Sequence, residues 1–97
     1  MSKYLKVLDV KRELQRVNRD ILRLEEELSE LEEALQLVKS GRARSAYRIF
    51  GSFIALEVSI AEASQIIEDR IAVVRAALAT LRKRRDELAK ELASLSR

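Results

Sequence analysis

A hydrophobic pattern with a period of seven residues constrains this chain more than any other feature. Apolar residues alternate at spacings of three and four from Val7 to Val38 without interruption, which is the a/d pattern of a coiled-coil helix. A second pattern of this kind begins at Ile67 and extends to Leu95. Alanine, leucine and the charged residues dominate the composition and proline is absent, as is typical of long helices. The sequence therefore predicts two long helices.

The two heptad series fit each other as antiparallel partners. If the numbers of facing residues sum to 102, every a position meets a d position, from Leu35 with Ile67 to Val7 with Leu95. Half of that sum is 51, and Gly51 is one of only two glycines. We therefore expect the chain to fold back at Gly51 and to bring both of its ends to the far end of the helix pair.

Single residues mark the helix boundaries and the register. Gly41 suits a left-handed cap after the first helix. Ser59 and Glu62 have the spacing of a capping box, which predicts that the second helix begins near Ser59. Arg85, the one charged residue in the second stripe, falls opposite Val17. We expect its side chain to extend past the seam into solvent, although a polar residue there could also fix the register.

Residues 44–58 break the helical period and predict a β-hairpin. Gly51-Ser52 between two strand-prone runs suits a two-residue type II′ turn, which would pair Phe50 with Phe53. One face of the hairpin is then wholly apolar, containing Tyr47, Ile49, Ile54, Leu56 and Val58. A lone hairpin is marginal in water and leaves two bare edges. Either it folds onto the helix ends or, as we favour, hairpins of several subunits join in one sheet.

The residue inventory excludes most enzyme chemistry. The chain has no cysteine and no histidine, so it lacks thiolate nucleophiles, imidazole bases and the commonest zinc ligands. Its two glycines stand alone, without a phosphate-binding loop, and a helical hairpin offers no pocket that would shift a carboxylate pKa. We expect no catalytic residues, no cofactor and no metal. The absence of a long apolar run predicts no membrane span, and the absence of cysteine fits the cytoplasm.

Charge is distributed unevenly along the chain. Residues 1–23 carry a balance of +4, residues 79–97 of +3 and residues 24–78 of −4, so the two ends that meet are both basic. The run Arg82-Lys83-Arg84-Arg85 raises the alternative of nucleic-acid binding. However, consecutive helical residues point in different directions, acidic residues lie nearby, and no aromatic residues are interleaved with the run for base stacking. A solvated helix face is the better interpretation.

The sequence at the bend resembles that of a known protein family. The segment Ala46-Tyr47-Arg48-Ile49-Phe50-Gly51-Ser52-Phe53-Ile54 resembles the V-Y-K-x-V-G-x-L-hydrophobic segment of prefoldin β-type subunits, and the order helix, β-hairpin, helix covers the whole chain. The resemblance implies a mainly α fold: an antiparallel two-helix coiled-coil hairpin with one β-hairpin at the bend, forming a single domain over residues 1–97. Compared with the usual family member, the coiled-coil arms are expected to be shorter by about two or three heptads and their ends more basic. These differences indicate a divergent paralogue.

The resemblance also implies a function. Prefoldins are ATP-independent holdases in which α-type and β-type subunits assemble through their hairpins, grip unfolded client proteins with the arm tips and transfer them to a chaperonin. The assembly residues expected here, in a homo- or hetero-oligomer (tetramer or hexamer), are Tyr47, Ile49, Phe50, Gly51, Phe53, Ile54, Leu56 and Val58. The client-binding residues expected at the tip are Tyr4, Leu5, Leu8, Leu92 and Leu95. A structural coiled-coil scaffold that dimerises through the hairpin is the alternative.

Overall fold

Two long helices with a β-hairpin between them form the structure. The computed structural model describes residues 2–51 and 54–96. The elements in chain order are helix α1 (Lys3–Lys39), strand β1 (Ala46–Phe50), strand β2 (Ile54–Val58) and helix α2 (Ile60–Leu95). The predicted fold class is therefore confirmed. The sequence predicts helices over about residues 3–40 and 60–96, and the structure has them at Lys3–Lys39 and Ile60–Leu95.

The chain divides into two compact units, each of which contains part of both helices. The terminal unit consists of the chain up to Glu26 together with the chain from Arg75 onward, and the hairpin unit runs from Glu27 to Val74 and includes both strands. Apart from Ala63 in the hairpin unit, the buried residues of each unit come from the predicted heptad positions. The buried ones are Val10, Val17, Ile21, Leu78 and Leu88 in the terminal unit, and Ile71 and Val74 in the hairpin unit.

The remaining heptad positions are half-buried, so none of the predicted seam residues is exposed. This result includes Arg85, whose Nε lies 3.2 Å from a carboxylate oxygen of Asp86. Its guanidinium group thus bonds to a neighbour on the same helix. The prediction that Arg85 extends past the seam is confirmed, because the charged group finds its partner outside the apolar stripe.

Ion pairs between the helices agree with the predicted antiparallel register within each unit. In the terminal unit, Arg84 pairs with Glu13 at 2.8 Å and Arg82 with Glu25 at 3.3 Å. The residue numbers of these pairs sum to 97 and 107, which lie equally far on either side of the predicted 102. In the hairpin unit, Arg70–Glu27 and Lys39–Glu68 give the same two sums. The charged residues therefore flank the apolar seam on both sides along the helices.

Local hydrogen bonds explain where the helices begin and end. Glu62 donates its backbone N–H to Ser59 Oγ at 3.0 Å, which confirms the predicted cap of α2. Gly41 has a φ of +75° and its N–H reaches the Val38 carbonyl at 3.3 Å, as expected for a left-handed cap after α1. A further cap, not anticipated, is Ser2, whose Oγ accepts the N–H of Leu5 at 3.3 Å.

The hairpin register differs from the predicted one by a single residue. Phe50 pairs with Ile54 and Tyr47 with Glu57, so the predicted pairing of Phe50 with Phe53 is wrong. Three residues, not two, separate the strands; of these, Ser52 and Phe53 lie outside the described residues. Because a one-residue shift transfers a whole strand to the other face, the predicted wholly apolar face is also wrong.

The observed faces each combine apolar and charged residues. Residues directly opposite each other in an antiparallel pair share a face, and this places Tyr47 and Ile49 with Ala55 and Glu57. The opposite face contains Ala46, Arg48, Phe50, Ile54, Leu56 and Val58. Gly51 begins the connection with a φ of +64°, a conformation that glycine adopts without strain.

Candidate functional sites

The hairpin presents most of its apolar side chains to solvent. Ile49 is 72% exposed, and Tyr47, Phe50, Ile54 and Leu56 are also exposed. Val58 is half-buried. These residues lie on both faces of the two-stranded sheet, so the alternative that the hairpin folds onto the helix ends does not describe this structure. Five exposed large apolar side chains on ten strand residues are unusual for a chain that functions alone.

One hairpin face carries a cation–π contact. The guanidinium carbon of Arg48 lies 5.1 Å from the centre of the Phe50 ring, and the two residues are neighbours on the same face of β1. Such a contact at an exposed site holds a charged side chain against an aromatic ring. Arg48 therefore shields part of Phe50 in the single chain, whereas Tyr47 and Ile49 on the opposite face stay open.

The ends of the two helices meet in the terminal unit. Tyr4 is 71% exposed and Leu5 is 44% exposed, whereas Leu8, Leu92 and Leu95 are half-buried. A shallow depression of about 520 Å³ at this end is lined by Ser2, Lys3, Lys6, Asp9 and Leu95. The predicted client-binding residues thus share one end of the unit but differ in exposure. Tyr4 and Leu5 are exposed, Leu92 and Leu95 are half-buried in the seam, and Leu8 is half-buried beside it.

The basic run of α2 is largely engaged by carboxylates. Arg82 and Arg84 bind glutamates of α1, and Arg85 binds Asp86. The hydrogen bonds from Arg84 to Glu13 raise the pKa of Arg84 above its ordinary value. In the hairpin unit, the paired hydrogen bonds from Arg70 to Glu27, at 2.6 and 2.9 Å, raise the pKa of Arg70 in the same way. Because these arginines are paired with carboxylates within the chain, less of their positive charge is available to bind phosphates.

Sequence reasoning missed several exposed apolar residues on the helices. Leu22, Leu37 and Val73 all lie outside the a/d positions and are at least half exposed. Their positions outside the heptad stripe could have predicted that they are exposed. Across residues 2–51 and 54–96, no cluster of acidic residues could hold a metal ion. No helix within that same part of the chain is long and apolar enough to cross a membrane.

Comparison with known proteins gives one informative match. No protein-family model and no curated protein matches the sequence. Among solved structures, the prefoldin β2 subunit from Thermococcus strain KS-1 superimposes with a TM-score of 0.86 at 29% sequence identity. The alignment covers 96% of this chain and 99% of that subunit, so the expected shortening of the arms does not hold against it. The chain has the fold of a prefoldin β-type subunit, as its helix, hairpin and helix pattern predicted, and this resemblance implies the role of a non-enzymatic chaperone subunit.

Proposed function

We propose that this protein is a subunit of an ATP-independent holdase that binds unfolded proteins and passes them to a chaperonin. The observation that carries the proposal is the near full-length structural match to a prefoldin β2 subunit. Its setting would be the cytoplasm. The two exposed apolar regions, one on the hairpin and one at the helix ends, supply the two surfaces that such a subunit needs.

Assembly is assigned to the hairpin. Its bare edges can pair with the strands of another subunit, and its exposed side chains, foremost Ile49 and Tyr47, would be buried in the joined sheet. Partners of this kind are further copies of the chain or a prefoldin α-type subunit. Light scattering on the purified chain, alone and with an α-type subunit, tests the assembly. A tetramer or hexamer supports the proposal, and a plain dimer favours the scaffold alternative.

Client binding is assigned to the end of the terminal unit. Tyr4 and Leu5 are exposed there. Helix ends open most easily, so opening of the first turns of α1 and the last turns of α2 would also expose Leu8, Leu92 and Leu95. Each contact would be weak. Several subunits in one assembly could bind one unfolded chain at several points and so reach useful avidity.

The test of client binding is a triple substitution of Tyr4, Leu5 and Leu8 by serine. The matched control replaces Leu22, Leu37 and Val73, which are also apolar and at least half exposed on the helices, with serine. Suppression of aggregation of a chemically unfolded protein is measured for both variants in their assembled form. Loss with the first triple and retention with the second supports the proposal. Full protection by an intact assembly of the first triple contradicts the assignment of this end.

A further inference from the structure

A row of arginines follows the outer face of α1 in the terminal unit. Arg12, Arg16, Arg19 and Arg23 are spaced by four, three and four residues, which places them on one face of a helix. We call this row the arginine ladder. All four are exposed, whereas Val10, Val17 and Ile21 of the same helix are buried. The ladder therefore lies on the side of α1 turned away from the seam and extends for about 16 Å.

Three arginines of the ladder differ from Arg70, Arg82 and Arg84 of α2 in having no carboxylate partner among the described residues. Arg23 pairs with Asp20 at 3.3 Å and keeps 77% of its side chain exposed. Within residues 2–51 and 54–96, no carboxylate lies in ion-pair distance of Arg12, Arg16 or Arg19. Arg70, Arg82 and Arg84, in contrast, all bind glutamates across the helix pair. The ladder thus has binding capacity that the fold does not use.

Apolar residues continue the ladder toward the helix ends. Leu5 lies three residues before Leu8, and Leu8 lies four residues before Arg12. The two leucines therefore extend the same helix face. Leu5 is exposed and Leu8 is half-buried. A single face thus presents two leucines followed by four guanidinium groups. This order suits a ligand that has apolar side chains next to a series of anionic groups.

The chemistry of the face favours a polypeptide over a nucleic acid. Guanidinium groups bind both carboxylates and phosphates in bidentate geometry, so charge alone does not decide. No aromatic residue lies between Leu5 and Arg23, although stacking on aromatic rings supports binding of single-stranded nucleic acids. Leucine side chains instead match the apolar residues of an unfolded protein.

We propose that the arginine ladder, together with Leu5 and Leu8, binds acidic segments of unfolded polypeptides that contain apolar residues. The inference rests on the proposed holdase function and narrows its substrate class, because clients rich in glutamate and aspartate would be held best. It also gives a role to the basic character of the helix ends.

The test uses two variants with equal loss of charge. One replaces Arg12, Arg16 and Arg19 by glutamine, a good helix former. The control replaces Lys11, Lys83 and Lys90, which are exposed in the same unit but lie off the ladder, by glutamine. The probes are a labelled glutamate-rich peptide with leucine at every third position, the same peptide with glutamine for glutamate, and an oligouridine. Affinities are measured by fluorescence anisotropy at about 0.15 M salt, on variants with unchanged helix content.

We expect the ladder variant to bind the acidic peptide about tenfold more weakly, since it loses three charge-assisted contacts. The lysine variant should stay within about twofold of the unsubstituted protein. Equal losses in both variants would overturn the proposal in favour of net charge alone. Binding of the oligouridine more tightly than the acidic peptide, with loss on the ladder substitutions, would overturn it in favour of nucleic acid.

A separate measurement keeps this proposal apart from the holdase function. Suppression of aggregation is measured with an unfolded basic protein, which should not need the ladder. Protection of that client by the ladder variant, together with weakened peptide binding, supports both proposals. Protection by the ladder variant with unchanged peptide binding overturns the ladder alone. Absence of protection by the unsubstituted assembly overturns the holdase function, while the peptide measurement still decides whether the ladder binds acidic segments.

Discussion

Adjacent valines in α2 show how strongly one residue's position on the helix decides its contribution to stability. Val74 is 1% exposed and Val73 is 56% exposed. Truncation of Val74 to alanine removes two methyl groups from the packed seam and should lower the free energy of unfolding by about 2 kcal/mol. Truncation of Val73 should leave it unchanged or raise it by about 0.5 kcal/mol, because alanine is the better helix former.

Urea unfolding of the two variants, followed by circular dichroism, checks this prediction. The helix-propensity gain is common to both substitutions, so the difference between them isolates the burial of Val74. Equal stabilities of the two variants would show that the seam at this position is not packed as described.

Gly51 has a conformational role in the hairpin. Its φ is +64°, and an added Cβ would meet no atom within 4 Å. Substitution by alanine should therefore weaken the hairpin by about 1 kcal/mol through backbone strain alone. Asparagine, which tolerates this conformation better, should weaken it less.

Hydrogen exchange of the strand amides measures the effect of the two Gly51 substitutions, because it reports local opening. Faster exchange with alanine than with asparagine is the expected order. A reversed order would mean that the space around Gly51, and not its backbone conformation, limits the choice of residue.

At the scale of elements, the start of α2 depends on one side-chain hydrogen bond. Ser59 Oγ accepts the N–H of Glu62 at 3.0 Å. Ser59→Ala should lower the free energy of unfolding by about 1 kcal/mol, whereas Ser59→Asp should retain most of it. Ser96→Ala is the control, since Ser96 Oγ only donates back to the Leu92 carbonyl and satisfies no orphan N–H.

Denaturant unfolding of these three variants provides the measurement. Loss of stability in both the alanine and the aspartate variant of Ser59, with none in the Ser96 variant, would show that the hydroxyl acts through a contact other than the cap. Retention by aspartate confirms the cap and the dipole effect that favours acidic residues at a helix N-terminus.

At the scale of the whole molecule, assembly should depend on exposed side chains of the strands and not on exposed side chains in general. Leu56 and Val73 are both 56% exposed in the single chain. Ile54→Ser with Leu56→Ser should reduce the assembly to monomers, because these residues would be buried only between subunits. Leu22→Ser with Val73→Ser should leave the oligomer intact.

Light scattering with parallel circular dichroism distinguishes loss of assembly from loss of folding. Monomers with unchanged helix content are the expected result for the strand variant. An intact oligomer after both strand substitutions would assign the interface to another surface, and the helices would then be the next place to search.

The register of the hairpin shows where sequence reasoning reached its limit. Register is pinned when one face is buried, since a slip then exposes apolar residues. Here the strand residues of both faces are exposed in the single chain, apart from the half-buried Ala46 and Val58 at their ends. A shift of the strand register would therefore bury or expose no additional apolar residues on either face. Gly51, with its positive φ, can begin a two-residue or a three-residue loop.

The sequence by itself determined the helix pair. Nineteen heptad positions and a fold-back sum predicted which residues pack, because a coiled-coil seam depends on a local, repeating pattern. Two capping signals predicted where α1 ends and where α2 begins. Only the tertiary structure decided which charges of the basic run meet α1, since Arg84 and not Arg85 reaches Glu13. Such pairs depend on the angle at which each side chain leaves its helix. It likewise decided the strand pairing and revealed that Arg12, Arg16 and Arg19 have no carboxylate partner among the described residues.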